Sequence, residues 1–341
     1  MKVSIIVPMY NVQDYVGECL QSLRTQTFRD FEVLCIDDCA TDHSVSVAKE
    51  AVQGDSRFRF LRMPKNSGLS AVRNRGIDEA CGDYLMFVDS DDMLRGDAVA
   101  TAWKKAAADD LDDLFFTASS LYESDEVIGI HQEDMMHRTS CDEVMTGPEL
   151  FVWFMAHNEF WPSAPLHMVR REFLISHGLR FYEGILHEDE LYSVQTLAYA
   201  ARAAYLNEPL YQRRLRAESI MTSKKSMRNI DGVFHVTQEM QRFITENAAS
   251  YSDEFVDAYT RRIVFLRDYS SHDVMGIPEP LLDEYAEALS LDDRIDFDMY
   301  FRENALNIKK IYSEITDTRT FRVGHALVQG PALIRDLVTG R

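Results

Sequence analysis

The chain has 341 residues, of which 46% are hydrophobic and 27% are charged, a composition typical of globular proteins and not of disordered chains. Its 56 acidic and 36 basic side chains give a formal net charge of −20, which argues against nucleic acid as a partner. No stretch reaches the ~18 apolar residues that span a bilayer, and the apolar run at the N-terminus is too short for a signal peptide, so we expect a cytoplasmic protein. The five cysteines include no CxxC pair, and Cys35 and Cys81, which lie in or beside apolar segments, are interpreted as core residues.

The first 120 residues alternate between short β-rich runs and helical patterns. Buried strands are predicted at residues 3–7, 31–36, 58–61 and 84–88. Helices are predicted between them, at residues 12–24, over about ten residues after Thr41, and at residues 70–80. Apolar strands that alternate with helices predict an α/β fold with a mostly parallel sheet flanked by helices.

The pattern changes in the later part of the chain. Strands are expected near 114–118 and 127–130, and helices near 148–157 and 189–200. We therefore predict a first domain at 1–223, with halves of about 1–120 and 121–223, and a helical domain at 224–341. The tail at 319–341 holds four arginines and one acid among apolar residues, and either packs on the parent domain or lies against a membrane surface.

Three predicted strands are followed by conspicuous side chains. The first is followed by Pro8, Tyr10 and Asn11, the second by Asp37 and Asp38, and the fourth by Asp89, Ser90, Asp91 and Asp92. Ligands of such sheets bind at the carboxyl ends of the strands, so these residues are expected to converge in one cleft.

The run that begins at Asp89 carries three carboxylates within four residues. Such groups repel one another unless a cation lies among them, and oxygen ligands suit Mg²⁺ or Mn²⁺. A solvated acidic turn that caps the helix beginning near Gly96 is the alternative. We expect a metal site within this run of carboxylates.

The segment from Asn66 to Gly76 joins a flexible loop to a helix with two arginines. A helix N-terminus and a guanidinium both suit a diphosphate. Arg73 and Arg75 lie two positions apart and cannot share one helix face, so one of them is expected to meet the ligand.

Two further clusters are ambiguous from their residues alone. The run His187-Glu188-Asp189-Glu190 offers a general base, although acids also favour the first turn of any helix through its dipole. The patch from Tyr211 to Arg216 either clamps an anion or forms a solvated basic face.

With these motifs in order, the sequence resembles family 2 of the glycosyltransferases over roughly residues 1–220. The resemblance rests on VSIIVPMYN, SLRTQTFRDFEVLCIDDCATD, NSGLSAVRNRGI, YLMFVDSDD, and RREFL followed by GLRFYEGILHEDE. It implies the GT-A fold, which is Rossmann-like with a mostly parallel sheet flanked by helices, followed here by a C-terminal helical region. It also implies an inverting single displacement, in which a sugar passes from a nucleotide-diphosphate donor to an acceptor hydroxyl.

The resemblance also implies roles for individual residues. Asp89 and Asp91 would be the DxD pair that holds Mn²⁺ or Mg²⁺, and Asp189, beside Glu188, would be the catalytic base. Asp38 would contact the uracil or the ribose, and Arg213 or Arg214 would match a basic position that often follows. The candidate contacts of the nucleotide sugar are Pro8, Tyr10, Asn11, Asp37, Asp38, Asn66, Arg73, Arg75, Asp89, Ser90 and Arg213.

UDP is the commonest nucleotide of the family and is the expected one. The expected acceptor is a saccharide or a lipid-linked saccharide in cell-surface polysaccharide synthesis, and a protein acceptor is left open. Peripheral contact at the inner face of the plasma membrane is also left open. Relatives commonly carry a lysine in an N/C-x-K-L-[YF] run before RREFL, whereas residues 163–167 read SAPLH, which leaves the acceptor contacts open. The alternative is a catalytically inactive scaffold that keeps the fold and binds a nucleotide or a partner protein.

Overall fold

The computed structural model describes residues 1–123, 139–141, 143–215 and 226–303. The chain divides into two units, the first of residues 1–224 and 231–263, and the second of residues 225–230 and 264–341. The predicted strand at 127–130, the basic residue Arg216 and the tail at 319–341 lie outside the described residues.

The first unit is an α/β structure, and its order of elements confirms the predicted alternation. Its strands are β1 (Val3–Met9), β2 (Phe31–Asp37), β3 (Phe58–Arg62), β4 (Tyr84–Phe87), β5 (Met93–Leu94), β6 (Asp113–Tyr122), β7 (His167–Arg170) and β8 (Ala203–Leu215). The helices between them are α1 (Val16–Arg24), α2 (Ser44–Ala51), α3 (Leu69–Glu79), α4 (Ala98–Ala108), α5 (Gly147–Ala156), α6 (Arg171–Ser176) and α7 (Glu188–Tyr199). Helices α8 (Met227–Asn247) and α9 (Asp253–Val274) follow.

Within the described residues, the sheet has eight strands in the order β3-β2-β1-β4-β7-β6-β8-β5. Strands β1 to β4 run parallel, with β1 between β2 and β4. Strand β7 is antiparallel to both β4 and β6, and β5 is antiparallel to β8, so the sheet is mixed. The central strands β1 and β2 are buried along their whole length, as the near-continuous apolar runs predicted.

Helix α3 packs unusually close to the sheet. A Cβ atom on Gly76 would lie 2.4 Å from Cγ2 of Ile6 in β1, so only glycine allows this approach. At the N-terminus of α3, the two carboxylate oxygens of Asp38 accept the backbone N–H groups of Ser67 at 2.8 Å and Gly68 at 2.8 Å. Helix α3 is therefore fixed against β1 and β2 at both ends.

The division into units differs from the boundary expected at 224, because residues 231–263 belong to the first unit. Aromatic packing on α5 explains this assignment. The ring of Phe151 lies 5.6 Å from the ring of Phe255 and 6.0 Å from that of Tyr259, both on α9. A helical pattern marks α8 and α9 in the sequence, but it does not say which surface they cover.

The second unit contains α10 (Glu279–Ala288), α11 (Leu291–Phe297) and a π-helical turn (Asp298–Glu303) among its described residues. Arg302 pairs with Glu279, Asp283 and Asp298, and the guanidinium of Arg267 lies 3.9 Å from the ring centroid of Tyr300. None of the described helices has the length and apolar character that crossing a bilayer requires.

Candidate active site

The carboxyl ends of β1, β2 and β4 lie side by side, which brings the expected strand-end residues to one edge of the sheet. Met9 is the register partner of Asp37, and the N–H of Val88 donates to the carbonyl of Ile6 at 2.9 Å. The loops at this edge are tied together, since Oδ1 of Asn11 accepts the backbone N–H of Thr41 at 2.9 Å.

The residues assigned to the nucleotide differ in their exposure at this edge. Tyr10 is 48% exposed, and Asn11 and Asn66 are also exposed. Pro8 and Ser90 are buried, which leaves their side chains little surface to offer a ligand.

The two acids at the end of β2, Asp37 and Asp38, are both buried and bonded to neighbouring backbone. Oδ1 of Asp37 accepts the N–H of Ala40 at 2.8 Å, whereas Asp38 holds the loop before α3. Each carboxylate oxygen has a second lone pair, so contact of Asp38 with a nucleotide stays a prediction. The structure gives Asp38 a role that the sequence did not suggest, which is to join the loop after β2 to the loop before α3.

Arg73 is buried, with 1% of its side chain exposed, and it links two acidic motifs. Its Nη2 donates to Oδ1 of Asp89 at 3.0 Å, while Nη1 donates to Oε1 of Glu188 at 3.0 Å and to Oδ1 of Asp189 at 2.7 Å. Burial opposes the charged guanidinium, but the three carboxylates outweigh it and raise the pKa of Arg73 above its ordinary value.

In the structure Arg73 faces carboxylates, and contact of either Arg73 or Arg75 with a diphosphate stays a prediction. The guanidinium is enclosed by carboxylates and lies 5.1 Å from the ring centroid of Phe181. Arg75 lies outside this cluster, because its side chain is 54% exposed and pairs with Glu79 at 2.6 Å. As their spacing predicted, the two arginines lie on different faces of α3.

The first turn of α7 carries three consecutive acids that have different surroundings. The side chain of Glu188 is 9% exposed, that of Asp189 is 27% exposed, and that of Glu190 is 15% exposed. Burial and the charge of Asp189 raise the pKa of Glu188 to about 7, although Arg73 acts in the opposite direction. Asp189 is thus the most accessible of the three carboxylates, and Glu188 lies behind it.

The loop after β4 is held by strand β8. The hydroxyl of Tyr211 donates to Oδ2 of Asp92 at 2.6 Å and accepts the backbone N–H of Asp89 at 3.2 Å. Burial and the charges of Asp89 and Asp91 raise the pKa of Asp92 to about 7. Asp92 and Tyr211 therefore support the loop from inside, which leaves Asp89 and Asp91 partly exposed.

Arg214, and not Arg213, contacts this loop. The Nε of Arg214 donates to the carbonyl of Asp91 at 3.0 Å, and its backbone N–H donates to Oδ1 of Asp92 at 2.7 Å. No side-chain hydrogen bond or ion pair of Arg213 is found within the described residues. The sequence left the choice open between these two adjacent arginines, and which of them contacts a nucleotide sugar stays a prediction.

The donor groups at the loop fit a divalent cation that is shared with a ligand. No group of three or more His, Cys, Asp or Glu side chains is arranged as metal ligands in the part of the chain that the structure describes. Mg²⁺ and Mn²⁺ are commonly held by one or two carboxylates together with substrate phosphates, and Asp89 and Asp91 could supply these. A protein-only cage is not needed for such a site.

A second constellation of catalytic residue types lies in the core. His167 is 3.3 Å from Asp113 through Nδ1 and 3.1 Å from the hydroxyl of Ser193 through Nε2. All three residues are 0% exposed. A nucleophile needs access to its substrate, so this Ser-His-Asp set is a buried hydrogen-bond network that joins β6, β7 and α7.

Comparison with known proteins identifies related sequences. Residues 4–150 match the family model described as Glycosyl transferase family 2. The uncharacterized glycosyltransferase YibD of Escherichia coli K12 is 29% identical over 257 residues, which cover 75% of this chain and 73% of that protein. Glycosyltransferase GlyA of Streptococcus pneumoniae is 30% identical over 221 residues, and the match covers 64% of this chain but 31% of that protein.

Solved structures share the fold. The crystal structure of S. aureus TarS 1–349 in complex with UDP-GlcNAc has a TM-score of 0.62 at 20% identity, covering 86% of this chain and 78% of that chain. The mannosyltransferase PcManGT from Pyrobaculum calidifontis, in complex with GDP-Man and Mn²⁺, has a TM-score of 0.55 at 16% identity. The match covers 94% of this chain and 82% of that chain. At these identities the likeness establishes the GT-A architecture of the sheet and its helices.

Proposed function

We propose that the chain, whose residues 4–150 match the family model Glycosyl transferase family 2, transfers a sugar from a nucleotide-diphosphate donor, UDP first, to an acceptor hydroxyl. The observation that carries this proposal is the position of Arg73. One guanidinium reaches Asp89 of the DxD pair and Asp189 of the helix-opening acids, so the donor-side and base-side carboxylates lie within the span of one side chain.

Asp189 is the base in this proposal. Its Oδ1 is paired with Arg73, and its side chain is the most exposed of the three acids that open α7. Asp189 takes the proton of the acceptor hydroxyl as the acceptor oxygen bonds to the anomeric carbon and the bond from that carbon to the diphosphate breaks. A well-placed base contributes roughly 10²–10⁴ in rate. Attack opposite the leaving group inverts the anomeric centre.

Asp89 and Asp91 face the diphosphate in this proposal and would hold Mn²⁺ or Mg²⁺ there. Such a cation offsets the negative charge of a departing diphosphate. The structural relatives support this assignment, because one is a complex with UDP-GlcNAc and another a complex with GDP-Man and Mn²⁺. Since the two complexes contain different nucleotides, the choice of UDP has to be measured.

The acceptor is proposed to be a saccharide or a lipid-linked saccharide of a cell-surface polysaccharide, reached in the cytoplasm or at the inner face of the plasma membrane.

Asn74 fixes the segment beside the base, since its amide donates to the carbonyl of Phe181 at 2.9 Å and accepts the N–H of the same residue at 2.9 Å. The acceptor side of the cleft is therefore anchored to the helix that carries Arg73.

Calorimetry with UDP, GDP and dTDP, with and without Mn²⁺, tests the donor site. We expect micromolar binding of UDP that requires the metal and is lost in Asp91→Ala. Asp83→Ala is the matched control, because Asp83 is an exposed carboxylate at the opposite end of β4 and pairs with Lys2. Equal losses in both variants, or no binding of any nucleotide, would contradict the donor-site assignment.

Transfer from a UDP-sugar to a panel of saccharide acceptors tests the reaction. Asp189→Asn keeps the shape of the side chain and is expected to bind UDP as the wild type does but to lose transfer by at least ~10²-fold. If the wild type binds UDP and turns over no donor with any acceptor, the scaffold alternative is favoured instead.

A further inference from the structure

Helix α8 contacts the segment that leads to the proposed base, and helix α9 contacts the helical turn that contains it. A Cβ atom on Gly232 of α8 would lie 2.3 Å from the carbonyl oxygen of Leu186, so the helix backbone packs directly against this segment. The ring of His235, one turn later, lies 6.2 Å from that of Tyr182. These helices follow the part of the sequence that carries the family resemblance, and the motifs gave them no role.

The strongest of these contacts is an ion pair between α9 and the first turn of α7. Arg262 donates from Nη2 to Oε1 of Glu190 at 2.6 Å and from Nε to Oε2 at 3.1 Å. Arg262 is 8% exposed, and its guanidinium lies 5.1 Å from the ring centroid of Phe160. Two parallel hydrogen bonds between planar groups fix orientation as well as distance, which a single contact does not.

We propose that Arg262 is a positioning residue for the transfer reaction and acts through Glu190 on the neighbouring Asp189. The inference rests on the proposed function, in which Asp189 is the base. Arg73 from α3 holds Glu188 and Asp189, and Arg262 from α9 holds Glu190, so two arginines from different helices fix one helical turn.

This turn needs such support because of its chemistry and its backbone. Three adjacent carboxylates repel one another, and the dipole of α7 offsets only part of that repulsion. The turn also follows two residues with positive φ, Gly184 at 87° and His187 at 66°, so the chain bends sharply just before it. Without Arg262, the charge of Glu190 would be left partly buried, and the turn would shift to expose it.

The experiment compares Arg262→Met with Arg261→Met. Arg261 is the adjacent arginine of α9, has a 56% exposed side chain and pairs with Asp257 one turn away, so it controls for loss of a charge from this helix. We expect Arg262→Met to lower kcat by about 10²-fold, as small displacements of catalytic groups do, with the affinity for UDP within threefold of the wild type. Arg262→Lys keeps the charge but not the paired geometry and should recover a small part of kcat.

Hydrogen exchange provides a readout that does not depend on turnover. In Arg262→Met, the amides at 192–194, whose helical acceptors are the carbonyls of residues 188–190, are expected to exchange faster, whereas those of α3 and the affinity for UDP stay as in the wild type. A double-mutant cycle with Glu190→Gln should show that the two single changes do not add in kcat, because both break one contact.

Two results would overturn the proposal. One is a kcat for Arg262→Met no lower than that for Arg261→Met, and the other is unchanged exchange at 192–194. A parallel loss of UDP affinity and kcat would assign Arg262 to general stability instead. An error in the proposed base would be seen in a different variant. Asp189→Asn would then retain transfer activity while hydrogen exchange in α7 stayed as in the wild type.

Discussion

Replacement of Arg73 by methionine is the sharpest test of the cluster at the sheet edge. Methionine retains much of the apolar packing against Phe181 but removes the guanidinium that three carboxylates share. Removal of one partner from a buried ion pair costs about 3–5 kcal/mol, because the remaining charge stays buried without compensation. We expect Arg73→Met to lower the free energy of unfolding by that amount.

Arg75→Met is the control, since it changes the same residue type in the same helix. Arg75 is exposed and its pair with Glu79 spans one helical turn, an arrangement worth about 0.3–0.5 kcal/mol. Urea unfolding followed by tryptophan fluorescence measures the difference, because the three tryptophans, at positions 103, 153 and 161, all belong to the first unit.

Equal stability of the two methionine variants would refute this reasoning. That result would mean that the carboxylates reach solvent or take up protons at little cost when Arg73 is absent. A second substitution distinguishes the cause of any loss: Glu188→Gln in the Arg73→Met background removes one buried charge and is expected to restore part of the stability.

Three further predictions follow from neighbouring contacts. The raised pKa of Glu188 means that the native state binds its proton more tightly, so wild-type stability should fall relative to that of Glu188→Gln as the pH rises from 4.5 to about 7, by about 2–3 kcal/mol in urea titrations. Tyr211→Phe, which leaves Oδ2 of buried Asp92 without the hydroxyl donor of Tyr211, should cost about 1–3 kcal/mol in the same assay and weaken metal-dependent binding of UDP in calorimetry. Gly76→Ala should lower the free energy of unfolding by about 1–3 kcal/mol. Adding Ile6→Val to that variant removes the Cδ1 methyl group, one of the atoms that the new Cβ would crowd, and should recover part of the loss.

The fold of the first 120 residues could be predicted from the sequence because its signals are local. Apolar runs of strand length alternate with helical patterns, and the observed strands β1 to β4 agree with the predicted ones to within about two residues at their ends. The acids after these strands were also predictable, since the carboxyl edge of a parallel sheet is where ligands bind. These inferences require no knowledge of which distant residues touch.

The partners of the charged residues could not be predicted, because they depend on packing between distant segments. Arg73 contacts Asp189, which lies 116 positions later, and nothing in the local pattern separates a buried arginine from one that meets a phosphate. The same limit applies to Arg213 and Arg214, which differ by one position on β8. For residues 231–263, helical periodicity was visible, but the aromatic contacts that join them to the first unit were not.

The motif around α3 has a different meaning in the structure from the one that its composition indicates. Its glycine and arginines resemble a phosphate-binding loop that opens a helix. In the structure, however, Arg73 and Asn74 both form hydrogen bonds with residues of the segment at 181–189. Because Arg73 also reaches Asp89, α3 connects the loop after β4 directly to the first turn of α7. If the proposed roles of Asp89 and Asp189 hold, the separation of these two carboxylates is set by a helix that Gly76 holds tightly on β1.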